Sequence, residues 1–352
     1  MSKLRARDLG LPLPGQPGPA NAITDVPGVE VGHTTLIEGA DIRTGVTVIL
    51  PAGKTLSAVP AGYFALNGNG ELTGTAWVAE GGFLEGPIGL TNTCSVGLVR
   101  DTLRKWEAEN FTVEGLGPGL LPVVGETYDG FLNDIEAQHL KPEHVFAALT
   151  AAASGPVAEG AVGGGTGMIA FEFKAGIGTS SRQLEVVKQS YTVGVLVQAN
   201  FGVREQLTMA GKPLGEWLAD LEPRRVKRDA GRDGSIIGIL ATDAPLLPQQ
   251  LQRLAKRMAL GLARTGGLAH NSSGDLFLAF STACPQLSEK GLESWNVVPN
   301  HQLDGLFAAA AQATEEAILN ALTAAEPMTG FQGHSVTALP QAQVRAWFAK
   351  QE

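Results

Sequence analysis

Two stretches of the chain carry apolar residues at helical spacing. From Leu247 they fall at Leu247, Leu251, Leu254, Met258 and Leu262, with Pro245 and Pro248 near the start and Gly266-Gly267 past the end. Steps of four and three put these side chains on one face, so the spacing predicts an amphipathic helix. From Leu303 to Leu322 the same spacing runs through Leu306, Phe307, Ala310, Ala317, Ile318 and Ala321, and Pro327 follows. The alanines predict close helix packing. A shorter helix is predicted over Pro142 to Ala153. Elsewhere the apolar residues come in short unbroken runs bounded by Gly, Asn or Asp. Val46–Leu50, Ser95–Val99, Ile169–Phe173, Tyr191–Ala199, Ser235–Ala241 and Asp275–Ser281 are read as strands. Runs without alternation predict sheets covered on both faces. Together these elements predict a layered α/β fold.

Composition narrows this. The chain has 352 residues, 44% hydrophobic and 17% charged, with 45 glycines in no regular period. Collagen and disorder are both excluded. The net charge of −9 disfavours nucleic acid or an anionic membrane as partner. No apolar stretch is long enough for a membrane span, and the start of the chain lacks a secretory leader, so a cytoplasmic protein is expected. The Pro- and Gly-dense first residues read as an extended arm. Two distant cysteines, Cys94 and Cys284, predict small buried hydrophobes rather than a disulfide or zinc site. No spacing of His, Asp or Glu suggests a metal, and no cofactor is expected.

The densest glycine run is Glu159 to Met168. It lacks the Gly-Lys-Ser/Thr ending of a Walker loop. It also lacks the strand-before, helix-after context of a dinucleotide fingerprint. Nucleotide binding at Gly163–Gly167 therefore stands only as the alternative. The better reading is a loop passing close to another backbone. Lys174 to Arg182 reads as a tight connection.

The most charged stretch, Glu222 to Gly234, reads as an exposed loop. It leads straight into Ser235 and the strand after it. Two readings of that junction stand side by side. Ser235 can simply begin a strand. Alternatively its hydroxyl attacks the Gly234 carbonyl, the chain is cut by an N→O acyl shift, and the freed α-amine of Ser235 becomes the base for its own hydroxyl.

Around this junction the sequence resembles the self-processing L-aminopeptidase/D-esterase and β-aminopeptidase family. The resemblance is carried in order by Asn21–His33, Thr91–Gly97, Gly125–Asp134, Glu159–Met168, Gly176–Arg182, Val195–Gly202, Gly234–Ile237, Ala241–Leu246 and Ala263–Asp275. It implies a single domain of residues 1–352, a four-layer αββα sandwich like that of N-terminal-nucleophile hydrolases but differently connected. It also implies cleavage between Gly234 and Ser235 into segments 1–234 and 235–352. Ser235 is then the nucleophile, Asn200 the oxyanion donor and Tyr128 a second donor. Glu126 holds the substrate's free amino group. Ser273 and Asp275 stand beside the nucleophile. The implied activity is hydrolysis of an amide or ester after an N-terminal L-α, D-α or β residue. A homo-oligomer, tetramer or larger, is implied as well. Cys284 departs from the pattern, because a polar residue, often Asn, is expected there. The closest implied rival, a self-cleaving acyltransferase, cuts at a threonine, and Ser235 argues against it.

Overall fold

The structure, a computed structural model, describes residues 4–55, 58–110, 121–218, 220–221, 234–283 and 294–350. Among them, ten strands form two main sheets. Four of these are β1 (Glu30–Glu38), β2 (Ile42–Lys54), β5 (Ile88–Asn92) and β6 (Val123–Thr127), ordered β1-β2-β5-β6. The other six are β3 (Ala58–Gly68), β4 (Phe83–Glu85), β7 (Ile177–Val186), β8 (Gln189–Ala199), β9 (Ile236–Thr242) and β10 (Gly274–Ser281). They lie in the order β4-β3-β10-β9-β8-β7. Pairing is antiparallel except for β5 with β6 and β9 with β10.

The layers follow from how the strands sort their side chains. In β9, Ile237, Ile239 and Ala241 join a core between the two sheets, with Ile49, Ile88 and Val123 from the other sheet. Ile236 and Leu240 point the other way, into a core shared with two helices, α3 (Pro248–Arg264) and α4 (Asp304–Thr323). Strand residues of period two thus face two different apolar layers, which is why these runs show no alternation. On the far side, Val46, Val48 and Val124 pack with Val99, Leu103, Val145 and Leu149. Those residues come from helices α1 (Val96–Asn110) and α2 (Pro142–Ala151). The result is a four-layer αββα sandwich.

Both long helices stand where the spacing placed them. Pro248 opens α3, and the Leu247 N–H is capped by Gln250 Oε1 at 2.9 Å. The alanines of α4 do bring it close to the sheet. An added Cβ at Gly178 in β7 would lie only 2.0 Å from the Ala317 carbonyl oxygen.

Several expectations change. Ser95–Val99 is no strand: Thr93–Ser95 form a 3-10 turn and Val96 begins α1. The β-rich run before it, Ile88–Asn92, takes the sheet position instead. Ile169–Phe173 is broken into a two-residue hairpin, Ile169–Ala170 with Phe173–Lys174, where Phe171 and Glu172 turn at positive φ. Lys174–Arg182 is not a connection, since β7 begins at Ile177. The helix from Pro142 stops at Ala151. The N-terminal arm holds two 3-10 turns and is pinned down by Arg5 and Arg7. Cys94 is only half-buried; Cys284 and the expected loop over 222–233 lie outside the described residues.

Candidate active site

Three strands of the larger sheet end at one place. β8 runs antiparallel to β9 with Ala199 opposite Ile236, so Asn200 falls beside Ser235. Its N–H donates to the Ser235 carbonyl at 3.0 Å. β10 runs parallel to β9 with Asp275 opposite Ile236, so Gly274 falls on the other side of Ser235. The Gly274 N–H donates to Ser235 Oγ at 3.0 Å. Ser235 is therefore held on both flanks by main chain at the entry of a central strand, and it is buried.

Gly234 precedes it, and only glycine fits there. A Cβ at that position would lie 1.6 Å from the Asn200 carbonyl oxygen and 2.7 Å from Asn200 Nδ2. Ser273 Oγ lies 2.7 Å from the Gly234 carbonyl oxygen and 2.7 Å from Asp275 Oδ1. One hydroxyl has one proton, so it serves these two acceptors one at a time while the carboxylate is charged. Burial pushes the Asp275 carboxyl up, against the Ser273 hydroxyl and the Ile236 N–H that favour its charged form. A protonated Asp275 donates to Ser273 Oγ and leaves the hydroxyl free to polarise the Gly234 carbonyl. The loop carrying Ser273 is tied by Asn67 Nδ2 to the Ala269 and His270 carbonyls, at 2.9 and 2.6 Å. A recess lined by Phe201, Leu262, Leu268, His270 and Ser273 opens beside Gly234.

The smaller sheet contributes Glu126, at the end of β6. Its carboxylate accepts from the Glu71 N–H at 3.1 Å and from the Thr93 hydroxyl. It is 4% exposed, and burial raises its pKa despite those two bonds. Gly70 links it to the nucleophile. A Cβ on Gly70 would be 3.2 Å from Glu126 Oε1 and 3.4 Å from the Cα of Gly274, whose N–H holds Ser235.

Asn200 donates through Nδ2 to the Tyr128 carbonyl at 2.9 Å, and its Oδ1 accepts from the Ile169 N–H at 3.0 Å. So Tyr128 meets Asn200 through its main chain. Tyr128 is 42% exposed, and its ring lies against Gly130. Gly234, Ser235, Asn200, Ser273 and Asp275 meet at the strand ends, Glu126 lies next to them across Gly70, and Tyr128 joins through its carbonyl rather than its hydroxyl.

The glycine run does not cradle a ligand. The Gly163 and Gly164 N–H groups are taken by the hydroxyls of Thr35 and Thr47, at 2.8 and 3.1 Å. An added Cβ at Gly164 would lie 2.5 Å from the Leu90 carbonyl oxygen. The chain's own sheets fill the space, and nothing supports nucleotide binding.

The family model of peptidase family S58 matches residues 21–336. The chain belongs to peptidase family S58. It is 51% identical to the beta-peptidyl aminopeptidase BapA of Sphingosinicella microcystinivorans, over 98% of this chain and 92% of that one. A solved Burkholderia sp. beta-aminopeptidase superposes with a TM-score of 0.91 at 49% identity, covering 99% of both chains. The L-aminopeptidase D-ala-esterase/amidase of Ochrobactrum anthropi superposes with a TM-score of 0.90 at 43% identity, over 99% of this chain and 98% of that one. That enzyme is described as a prototype of the serine aminopeptidases and a variant of the Ntn hydrolase fold. This S58 chain has that fold and is a hydrolase of the serine aminopeptidase type. Among its described residues no helix is long and apolar enough to cross a membrane.

Sequence reasoning passed over Thr93 and Glu71, whose hydroxyl and N–H hold Glu126. It also passed over Asn67, which ties the Ser273 loop. Their signal was faint, since each acts at a distance along the chain.

Proposed function

We propose that this S58 chain cuts itself between Gly234 and Ser235 and then hydrolyses amides or esters of residues with a free amino group. The observation that carries this is the Gly234–Ser235 peptide itself. Its carbonyl lies against Ser273 Oγ, its serine oxygen is fixed by the Gly274 N–H, and Asn200 stands alongside.

In the self-cut, Ser235 Oγ adds to the Gly234 carbonyl carbon and gives up its proton. The C–N bond breaks, the departing nitrogen takes a proton, and an ester joins Gly234 to Ser235 Oγ. Water hydrolyses that ester. The products are segment 1–234 with a new carboxylate and segment 235–352 with a free α-amine on Ser235.

In turnover, that amine accepts the Oγ proton as the oxygen attacks the substrate carbonyl. The Asn200 amide, with the Tyr128 hydroxyl as a second donor, stabilises the oxyanion; one such donor contributes about 3–4 kcal/mol. The amine or alcohol leaves with the proton, and water clears the acyl-enzyme. Ser273 and Asp275 position the Ser235 amine. Glu126 is a buried carboxylate raised by burial, and a substrate ammonium supplies the positive charge it lacks.

The names of the similar enzymes put N-terminal β residues first among the three substrate types, ahead of L-α and D-α residues. We further propose a cytoplasmic homo-oligomer, tetrameric or larger, acting on small amides and esters. The net charge of −9 supports the exclusion of nucleic acid.

The test is a denaturing gel and intact mass, followed by a panel of p-nitroanilides of β, L-α and D-α residues. Two chains and hydrolysis are expected, and Ser235→Ala stays one chain without turnover. A single 36.7 kDa species after long incubation, inactive on the whole panel, sinks the proposal.

A further inference from the structure

Lys174 takes no part in the chemistry above, yet it is wholly buried. It sits in the small hairpin beside the glycine run. Its Nζ lies 2.7 Å from the Met168 carbonyl oxygen, 2.8 Å from that of Ala175 and 3.5 Å from that of Gly165. Three acceptors match the three N–H donors of an ammonium. A cation taken this far out of water is costly, so the site that holds it is built around it.

The shortest of these contacts is to the peptide joining Met168 to Ile169. The other end of the same peptide, the Ile169 N–H, donates to Asn200 Oδ1 at 3.0 Å. A cation on a peptide carbonyl draws charge through the amide and strengthens the donor at its nitrogen. That donor fixes which end of the Asn200 amide is oxygen. Nδ2 is left to face the Tyr128 carbonyl and the Gly234 side of the site.

We propose that Lys174 is a positioning residue for the oxyanion site: through the Met168–Ile169 peptide it orients and polarises the Asn200 amide. This rests on the assignment of Asn200 to the oxyanion made above. Lys174 touches no substrate atom. Its side chain acts at one peptide's remove.

A double-mutant cycle tests it, with kcat and KM for an aminoacyl p-nitroanilide, the fraction of chain cut, and a thermal melt for each protein. A variant that stays uncut is scored by its rate of self-cleavage. Asn200→Ala alone should lower kcat by on the order of 100–1,000-fold. If it does not, the oxyanion assignment itself fails. Lys174→Met should lower kcat by on the order of 10–100-fold with KM unchanged. In the Asn200→Ala background the same change should add nothing, since its route is already gone. An unchanged kcat in Lys174→Met overturns the proposal while leaving the Asn200 assignment intact. A loss that adds in full to that of Asn200→Ala does the same. Where Lys174→Met does not fold, Lys174→Gln keeps a donor of shorter reach and is run through the same cycle. Loss of folding in both assigns Lys174 to the fold alone and also overturns the proposal.

Discussion

Two buried polar clusters adjoin the larger sheet, one under α4 and one at the strand ends, and they treat carboxylates in opposite ways. Under α4, Glu316 is fully buried and accepts from Arg7 Nε at 2.9 Å, Arg182 Nη2 at 2.7 Å and Asn21 Nδ2 at 2.6 Å. Burial alone would raise its pKa, but Arg7, Arg182 and Asn21 more than offset it and hold the carboxyl below the usual range. At the strand ends, Glu126 and Asp275 are also buried, and among the described residues neither is paired with Lys or Arg. Both are pushed up by burial. The first cluster joins the N-terminal arm, β7 and α4 with charges that already cancel. The second keeps carboxyls that burial pushes up, and in the proposed mechanism a substrate ammonium answers Glu126. Burial without a paired Lys or Arg thus sets these two carboxyls apart from Glu316.

The largest effect that sharpens this contrast is on stability. Glu316→Ala leaves two arginines facing no carboxylate, so it should cost about 3–5 kcal/mol in denaturant unfolding. A loss within the scatter of ordinary surface changes breaks the comparison. Next comes Glu126→Gln. It should leave the unfolding midpoint unchanged or higher but weaken binding of the substrate ammonium by about 1.5–3 kcal/mol. That reads as a rise in KM of roughly 10–100-fold. An unchanged KM removes Glu126 from substrate recognition.

The smallest effect comes from a third buried carboxylate. Glu107 in α1 has no hydrogen-bond partner on either oxygen, and burial pushes it up to about 7 against the pull of Arg104 and Arg100. The folded state then holds a proton that the unfolded chain has lost. Stability therefore falls as pH climbs from 4.5 to about 7 and levels off above. Glu107→Gln cannot ionise, so its advantage should grow through that window and reach about 1–2 kcal/mol by pH 8. Thermal melts at pH 5 and pH 8 read this directly. Glu107 lies in the outer helix layer, so its turnover should be unchanged. A changed kcat would tie this helix-layer carboxyl to the reacting end after all.

How much of this was written in the sequence depends on the range of the forces involved. The helices α3 and α4 and the strands β8, β9 and β10 follow from local spacing, because each buries a face or a run that the chain itself displays. The residues at the strand ends were found from the ordered motifs. The register of β9 against β8 and β10 then brings Asn200, Ser235 and Asp275 together. Ser95–Val99 misled because a five-residue apolar run has no period of its own, and here it enters α1. That the arm is pinned down was not legible because Arg5 and Arg7 find Glu159 and Glu316 at separations of 154 and 309 positions. Lys174 gave no sign because the carbonyl groups that accept from it are ones every residue has.

The place of the proposed cut, one residue ahead of β9, has a consequence for assembly. β9 is hydrogen-bonded along its length to β8 on one side and β10 on the other. Severing the chain at its entrance takes no rung out of the sheet, so the two products remain one object. Yet β9 and β10 would then belong to one polypeptide and the strands flanking that pair on both sides, β8 and β3, to the other. Such halves cannot part without unfolding. Once apart, they must find each other by diffusion, so a reaction that was first order in the precursor becomes second order in the mature enzyme. The endurance of the finished protein would then rest on how slowly it opens rather than on how readily it re-forms.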